Sequence, residues 1–456
     1  MRLSPLALLL AAACAGAPVR EGADFAPYAS LPRPLSAPET PSLEPGEEYP
    51  IDLPTALRLA GAHHLAAAIA RERADAAAAR ADAAKAAFLP ALRPRVEFFR
   101  HEGRVQETSG DFFDVDKQST TIGPAAEITL DFGDALFEAP AEKRRARAAL
   151  AAAGSAERDA ALEVVEAYTA LQGARDRIGI AEAFAAHARA ALDLETSRQR
   201  QGTGLEADVA RARANLAEAE QGVVEARSEM RLASAALVRV LHLDPAVSLG
   251  PAEEELSLEE RVPLDTPLPA LLESAYASRP EIAGARARLA AAEAEREGTR
   301  IGPLLPRLRF DASYDAFGPN PGDFKDREIY RAAVEWDLDA ALFPARDEAD
   351  ARVREAKYAF ASLRDRLAEE VVSGLERARA ARERLGAADA RVAASEEALR
   401  LADARRRGGA ALLIEVLDAQ AALTRARTDR LEATLEFNRS QARLAHAVGA
   451  LGPPPR

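Results

Sequence analysis

Proline placement constrains this chain more than any other feature. Twenty-eight prolines are scattered through it, yet none falls between Pro140 and Pro245 or between Pro344 and Pro453. Each window is split by a glycine pair, Gly202 with Gly204 in the first and Gly408 with Gly409 in the second. Proline is excluded from helix interiors because it lacks an N–H and clashes with the preceding turn, and glycine favours breaks. Each window therefore predicts two long antiparallel helices joined at a glycine turn. At 1.5 Å per residue the arm from Ala141 to Gln201 reaches roughly 90 Å. Aromatics at 5% and charged residues at 29%, with alanine filling the helices, predict rods rather than a compact globule. Phe360, Leu363, Leu367, Val371 and Leu375 mark a narrow seam at spacings of three and four.

The two windows are copies of one another. Glu163-Val164-Val165 recurs as Glu370-Val371-Val372, and at the same offset Gly202 meets Gly409 and Asp208-Val209 meets Glu415-Val416. Upstream, LDFGDALF (130–137) parallels WDLDAALF (336–343), and AAFLPAL (86–92) parallels GPLLPRL (302–308). The offset is 207 or 206 over these windows and 216 further upstream, a difference that fits a longer hairpin loop in the first copy, and the whole reads as a tandem repeat.

A second period lies between the helical windows. Leu308, Phe310, Ala312, Tyr314 and Ala316 alternate with Arg307, Arg309, Asp311, Ser313 and Asp315. Val334, Trp336 and Leu338 alternate with Glu335, Asp337 and Asp339. In the first copy Ala126, Ile128, Leu130 and Phe132 alternate with Glu127, Thr129 and Asp131; Leu92, Pro94, Val96 and Phe98 alternate less cleanly with Arg93, Arg95 and Glu97. Period two gives strands with one apolar and one polar face. A soluble sheet packed on helices fits this pattern. Charges at every second position fit better an outer-membrane barrel, with Ile128, Phe310, Tyr314 and Trp336 towards lipid and a wet lumen inside. Four strands cannot close a barrel, and an open edge in lipid leaves backbone groups unsatisfied. Several chains must then share one barrel.

The N-terminal MRLSPLALLLAAAC has one Arg and an apolar run too short to span a bilayer, as in a secretory signal. Cys14, the single cysteine, follows Leu10-Ala11-Ala12-Ala13 and reads as a lipidation site closing a signal over 1–13. Cleavage further on, near Ala17, is the ordinary alternative. Residues 14–50, rich in Pro, Ser and Glu, read as a tether. The first repeat is expected over 51–250, with a strand pair at about 91–132 and its helical turn near 202–204. A linker follows over 251–265, then the second repeat over 266–452, with a strand pair at about 307–339 and its turn near 408–409. A net charge of −13 argues against nucleic acid as a partner.

The signal with its cysteine, the Leu-Pro before the first strand of each copy, the Arg279-Pro280-Glu281-Ile282 opening of copy two, and each turn glycine followed six residues later by an acid and Val resemble the TolC-type outer-membrane efflux factors. The likeness covers about residues 50 to 450. It implies a mainly helical fold with a small β part: a homotrimer whose twelve-stranded barrel continues into a helical tunnel through the periplasm. It also implies a passive duct joined to a periplasmic adaptor and an inner-membrane pump, without catalytic site or cofactor. Efflux and type I secretion both use such ducts.

The same resemblance places a gate at the periplasmic tips. There Glu415 and Asp418 stand at i and i+3 on one helix face, the makings of stacked acidic rings in a trimer. Copy one has Asp208 but then Arg211, so the acid pair belongs to the second repeat. Gln199 and Arg406 occupy places where the family often has tyrosine, and Ala411 one where it has arginine. Any lock must use other residues, with Arg405, Arg406 and Arg407 as candidates. The turns at Gly202, Gly204, Gly408 and Gly409 are the expected adaptor contacts. The six histidines show no metal-ligand spacing, and His63-His64 reads as part of a helical stretch. No phosphate loop or nucleophile motif is present. The competing reading is a lipid-anchored periplasmic coiled-coil adaptor, which explains the hairpins but not four amphipathic strands.

Overall fold

The computed structural model describes residues 48–253, 256–320, 322–336 and 339–452. The signal, Cys14 and all but the end of the tether lie outside these residues. Glu48–Ile51 form a strand, β1, so the tether gives way to ordered structure before residue 50. In the first repeat, helices α1 (Leu53–His63) and α2 (Leu65–Ala86) lead into strands β2 (Ala91–Gln106) and β3 (Phe112–Asp131). The hairpin of α3 (Ala139–Arg200) and α4 (Glu206–Val240) follows, and then strand β4 (Ser248–Pro251). The second repeat runs α5 (Leu268–Ser278), α6 (Pro280–Ile301), β5 (Arg307–Gly318), β6 (Lys325–Glu335), α7 (Leu342–Arg407) and α8 (Leu413–Ala447). The fold is thus mainly helical, with long helices and antiparallel β-hairpins.

The long arms have 62 and 66 residues, about 90–100 Å each. Pro344 falls in the first turn of α7, where a missing N–H leaves no hydrogen bond unmade, and Pro140, the second residue of α3, follows a π-helical turn over Asp134–Glu138 that leads into the helix. The helices approach closely along alanine seams. Ala67, Ala74 and Ala81 in α2, and Ala212, Ala219 and Ala226 in α4, are buried at heptad spacing. Among the seam residues read from sequence, Leu367, Val371 and Leu375 are buried, while Phe360 and Leu363 are half-buried.

The larger side chains collect in a belt halfway along the arms. Tyr168, Leu171, Leu237 and Leu241 pack with Ile51, Ala56 and Leu249. In the second copy Val371, Leu375, Leu444 and Ala445 pack with Val262, Leu271 and Ala275. β1 and β4 pair in parallel from Glu48↔Ser248 to Ile51↔Pro251, closing the belt's first half. The Tyr168 hydroxyl donates to the Ile51 carbonyl at 3.0 Å and also meets Glu253. The segment after β4 is strapped across α8. Gln441, fully buried, accepts from the Val262 and Arg261 amides at 2.9 and 3.1 Å, and Asn438 accepts from Glu259 at 3.0 Å.

His64 does not lie inside a helix. It stands in extended conformation at the break between α1 and α2, with Nε2 3.2 Å from Glu163. Arg279 holds the corresponding break between α5 and α6, pairing with Glu281 at 2.8 Å and Glu370 at 2.5 Å. Burial works to raise the Glu281 carboxyl, but the Arg279 guanidinium, the Glu281 backbone amide and the Ser155 hydroxyl together outweigh it and hold it down at about 2.

The other strands form one antiparallel sheet in the order β2-β3-β5-β6. Register runs without a slip from Ala91↔Glu127 to Gln106↔Phe112, from Thr120↔Gly318 to Asp131↔Arg307, and from Arg307↔Glu335 to Phe317↔Lys325. The last ladder ends at Glu335, so Trp336 lies just beyond it.

Candidate functional site

Two regions carry the features that a conduit needs: the sheet and the glycine-turn tips. Alternation separates the sheet's faces. One presents Leu92, Val96, Phe98, Phe310, Tyr314, Tyr330 and Val334, all exposed within the single chain. The other carries ion pairs across the strands: Arg93–Glu127 at 2.5 Å, Arg307–Asp131 at 2.9 Å, and Arg95 and Arg327 each 3.2 Å from Asp315. An exposed apolar face of this extent has no use in water. β2 and β6 end the sheet, each with one edge unpaired among the described residues. Among the described residues, no helix is long and apolar enough to cross a membrane.

At the tips both hairpins turn in the same way. Gly202 and Gly409 each have φ +75°, a conformation that side chains other than glycine rarely adopt. Thr203 N–H bonds back to the Arg198 carbonyl at 3.0 Å and Ala410 N–H to that of Arg405 at 2.8 Å, which ends each long helix with a six-residue loop closure. Gly204 is needed for a different reason, since a Cβ there would meet the Gln199 backbone nitrogen at 2.7 Å. Gly408 has ordinary helical angles, and a Cβ there would make only ordinary contacts, at 3.6 Å to the Ala404 and Arg405 carbonyl oxygens.

The turns bring charged side chains of both repeats together. Arg406 bonds Glu195 through two nitrogens, at 2.9 and 2.6 Å, and reaches Asp208 at 3.3 Å and the Ala411 carbonyl at 3.1 Å. Arg198 donates to the Arg406 carbonyl at 2.6 Å. The Glu195 side chain is only 1% exposed and is enclosed between Arg406 and Arg198, the latter 3.7 Å away. Burial opposes the charge on Arg406, and the two carboxylates outweigh it, raising its pKa. Of the three arginines singled out in the sequence, Arg406 thus ties hairpin to hairpin. Arg405 pairs instead with Glu415 at 3.2 Å, and Arg407 reaches only the Asp403 carbonyl of its own helix at 3.3 Å.

The acids therefore differ in standing. Asp208 is largely enclosed beside Arg406, with 15% of its side chain exposed. Glu415 accepts from the Leu412 amide at 3.2 Å, capping α8, and is half-covered by Arg405. Asp418, one turn on, is exposed. Glu195 escaped the sequence reading altogether. One glutamate in a polar helix looks solvated until the fold lays α3 against the end of α7.

The sequence profile described as "Outer membrane efflux protein" matches residues 56–241 and 271–450. No curated protein sequence matches the chain. Among solved structures, the outer-membrane channel OprN superposes with a TM-score of 0.75 at 21% identity, over 88% of this chain and 91% of its own. The CmeC outer membrane channel of Campylobacter jejuni gives 0.76 at 15% identity, over 89% and 87%. The open state of the MtrE outer membrane channel of Neisseria gonorrhoeae gives 0.70 at 19% identity, over 87% and 88%. These likenesses agree with the architecture built above from the residues. The family match removes the adaptor alternative. This chain belongs to the outer membrane efflux protein family, and its work is passage across the outer membrane rather than catalysis.

Proposed function

We propose that three copies of this chain close a twelve-stranded barrel in the outer membrane. They continue it into a helical tunnel that serves as the exit duct of a tripartite efflux or type I secretion system. Channels of this family work as trimers in tripartite pumps. The observation that carries the proposal is the four-stranded sheet whose outer edges are both unpaired among the described residues and whose apolar face is open to its surroundings. In lipid such edges must pair, and three sheets joined β6 to β2 leave none open. The periplasmic tips would then meet an adaptor at the Gly202–Gly204 and Gly408–Gly409 turns, with an inner-membrane pump behind it. The test is the purified chain in mild detergent and in planar bilayers. A heat-modifiable trimer that conducts is expected, and a silent monomer would overturn the reading.

Anchoring is a separable part of the proposal. The short apolar run ending at Cys14 supports a mature chain that begins with a lipidated Cys14. Clickable palmitate should label wild type and not Cys14→Ser, whereas equal labelling would discard the anchor. Assembly should survive the substitution, because the barrel itself holds the protein in the membrane.

We assign the gate to the tips, where Glu415, Asp418 and Asp208 would face the axis of the proposed trimer. Replacing Glu415 and Asp418 with Ala should lower cation selectivity in bilayers and relieve block by multivalent cations, while neutralising Glu396 and Glu397 should change little. Asp418 should carry most of the effect, since Arg405 already offsets Glu415. Unchanged selectivity would return both acids to the role of ordinary surface charge.

A further inference from the structure

One rung of the sheet is built unlike the rest. Arg95, Gly123, Asp315 and Arg327 stand side by side on β2, β3, β5 and β6, all on the charged face. Gly123 lets strands β3 and β5 close up. A Cβ there would lie 2.2 Å from the Tyr314 carbonyl oxygen and 2.9 Å from Asp315 Oδ1. Arg95 reaches over this gap from two strands away.

Asp315 is fully buried, and both guanidinia contact its Oδ2 through a single nitrogen at 3.2 Å. The Ser313 hydroxyl also donates to Oδ2, at 3.1 Å. Arg327 lies over the Phe317 ring at 4.8 Å, which fixes its plane, and its Nε makes no hydrogen bond among the described residues. Arg95 touches one further carboxylate, Glu97, at 3.6 Å. Neither arginine uses its two-pronged fork on a partner, and 44% and 37% of their side chains remain exposed. Lys325 is exposed on the adjoining rung, opposite Phe317. Three cations thus face two carboxylates, in a chain whose net charge is −13.

We propose that Arg95 and Arg327, held in place by Asp315, form an anion-binding rung inside the duct. Repeated three times around the barrel, it recognises phosphate, sulfate or carboxylate groups on solutes in transit. This rests on the trimeric duct proposed above, which turns the charged face to the lumen. A planar oxyanion can take the unused fork of each guanidinium, and arginine fits such groups bidentately. Basic rings in pores favour anions and phosphates, and the low-dielectric barrel wall focuses their field. The duct would then carry opposite preferences at its ends, with acids at the tips and arginines at the exit.

The experiment uses the purified full-length protein in planar bilayers, with pyrophosphate added on the barrel side. Wild type should be blocked in a dose-dependent way. Arg95→Gln with Arg327→Gln should raise the blocking concentration at least about tenfold. Asp315→Asn, which keeps both guanidinia and removes their carboxylate, should lower it. Arg104→Gln, on the opposite face, should leave it unchanged. These opposite directions separate binding from scaffolding, because a merely structural rung would make every variant assemble worse without strengthening block. A wild-type protein that opens no channel overturns the duct and this proposal with it. A conducting wild type that pyrophosphate does not block overturns this proposal alone. If the double arginine variant fails to assemble, Asp315→Asn decides, and block no stronger than wild type overturns the proposal.

Discussion

Ala126→Arg is expected to abolish trimers from the outer membrane, whereas Asp311→Arg, at the same height on the other face, is expected to leave them. Ala126 sits midway along the apolar stripe of β3, in register with Leu92 on one side and Ala312 on the other. Asp311 immediately precedes Ala312 and lies opposite Glu127, among the charged groups. An arginine facing lipid near the bilayer midplane costs about 2–4 kcal/mol, and in a trimer the cost arises three times over. An arginine at position 311 would meet water, with the Glu127 carboxylate on one side and Arg331 on the other, a like-charge pair that costs up to about 1 kcal/mol. Heat-resistant trimer in outer-membrane fractions is the measurement. Equal loss, or equal survival, of the two variants would mean that the apolar face does not touch lipid.

Arg406→Ala is expected to loosen the tips while sparing the rest of the molecule. Removing the guanidinium leaves the buried Glu195 with only Arg198, 3.7 Å away, as countercharge, and deleting the closer partner of such a pair costs up to about 3–5 kcal/mol. The hairpins also lose their link through Asp208. Because the large apolar clusters sit at the belt, the damage should stay local. Amide exchange over residues 195–208 and 403–415 should accelerate by roughly 100-fold or more, and mean conductance should rise, with little change at the belt. Glu195→Leu with Arg406→Met should restore tip stability, since an apolar pair of similar volume can replace a buried ion pair. If exchange at the tips stays at the wild-type rate in Arg406→Ala, the hairpins are held together elsewhere.

Much of the architecture was legible because it rests on exclusions and periods. Proline cannot occupy long helices, so its absence outlined α3, α4, α7 and α8, and the glycines marked the turns. Alternation from Leu308 to Ala316 marked β5 and its two faces. The parallel pair of β1 and β4 was not legible, since Glu48–Ile51 and Ser248–Pro251 are too short to show a period and are joined only by the fold. The helix break at His64 was missed because Ala-rich sequence continues on both sides, and the nearby Gly61 lies inside α1 rather than at the break. At the tips, Arg406 could be named as a candidate but its partner could not. Pairing between α3 and α7 depends on how two repeats dock, and no local spacing encodes that.

The belt also sets a mechanical ratio. α4 and α8 each run 35 residues from tip to belt, a lever of about 50 Å. Tilting such a rod by about 5° at its fulcrum carries the far end some 4–5 Å, by the geometry of a rigid helix. That travel exceeds the length of any hydrogen bond at the tips, so a hairpin could swing clear of Glu195 and Arg406 without unwinding a single turn. A partner pressing on the glycine turns would work with full leverage against those bonds. The pivot, held by Tyr168 on one copy and Gln441 on the other, would move by a fraction of an ångström.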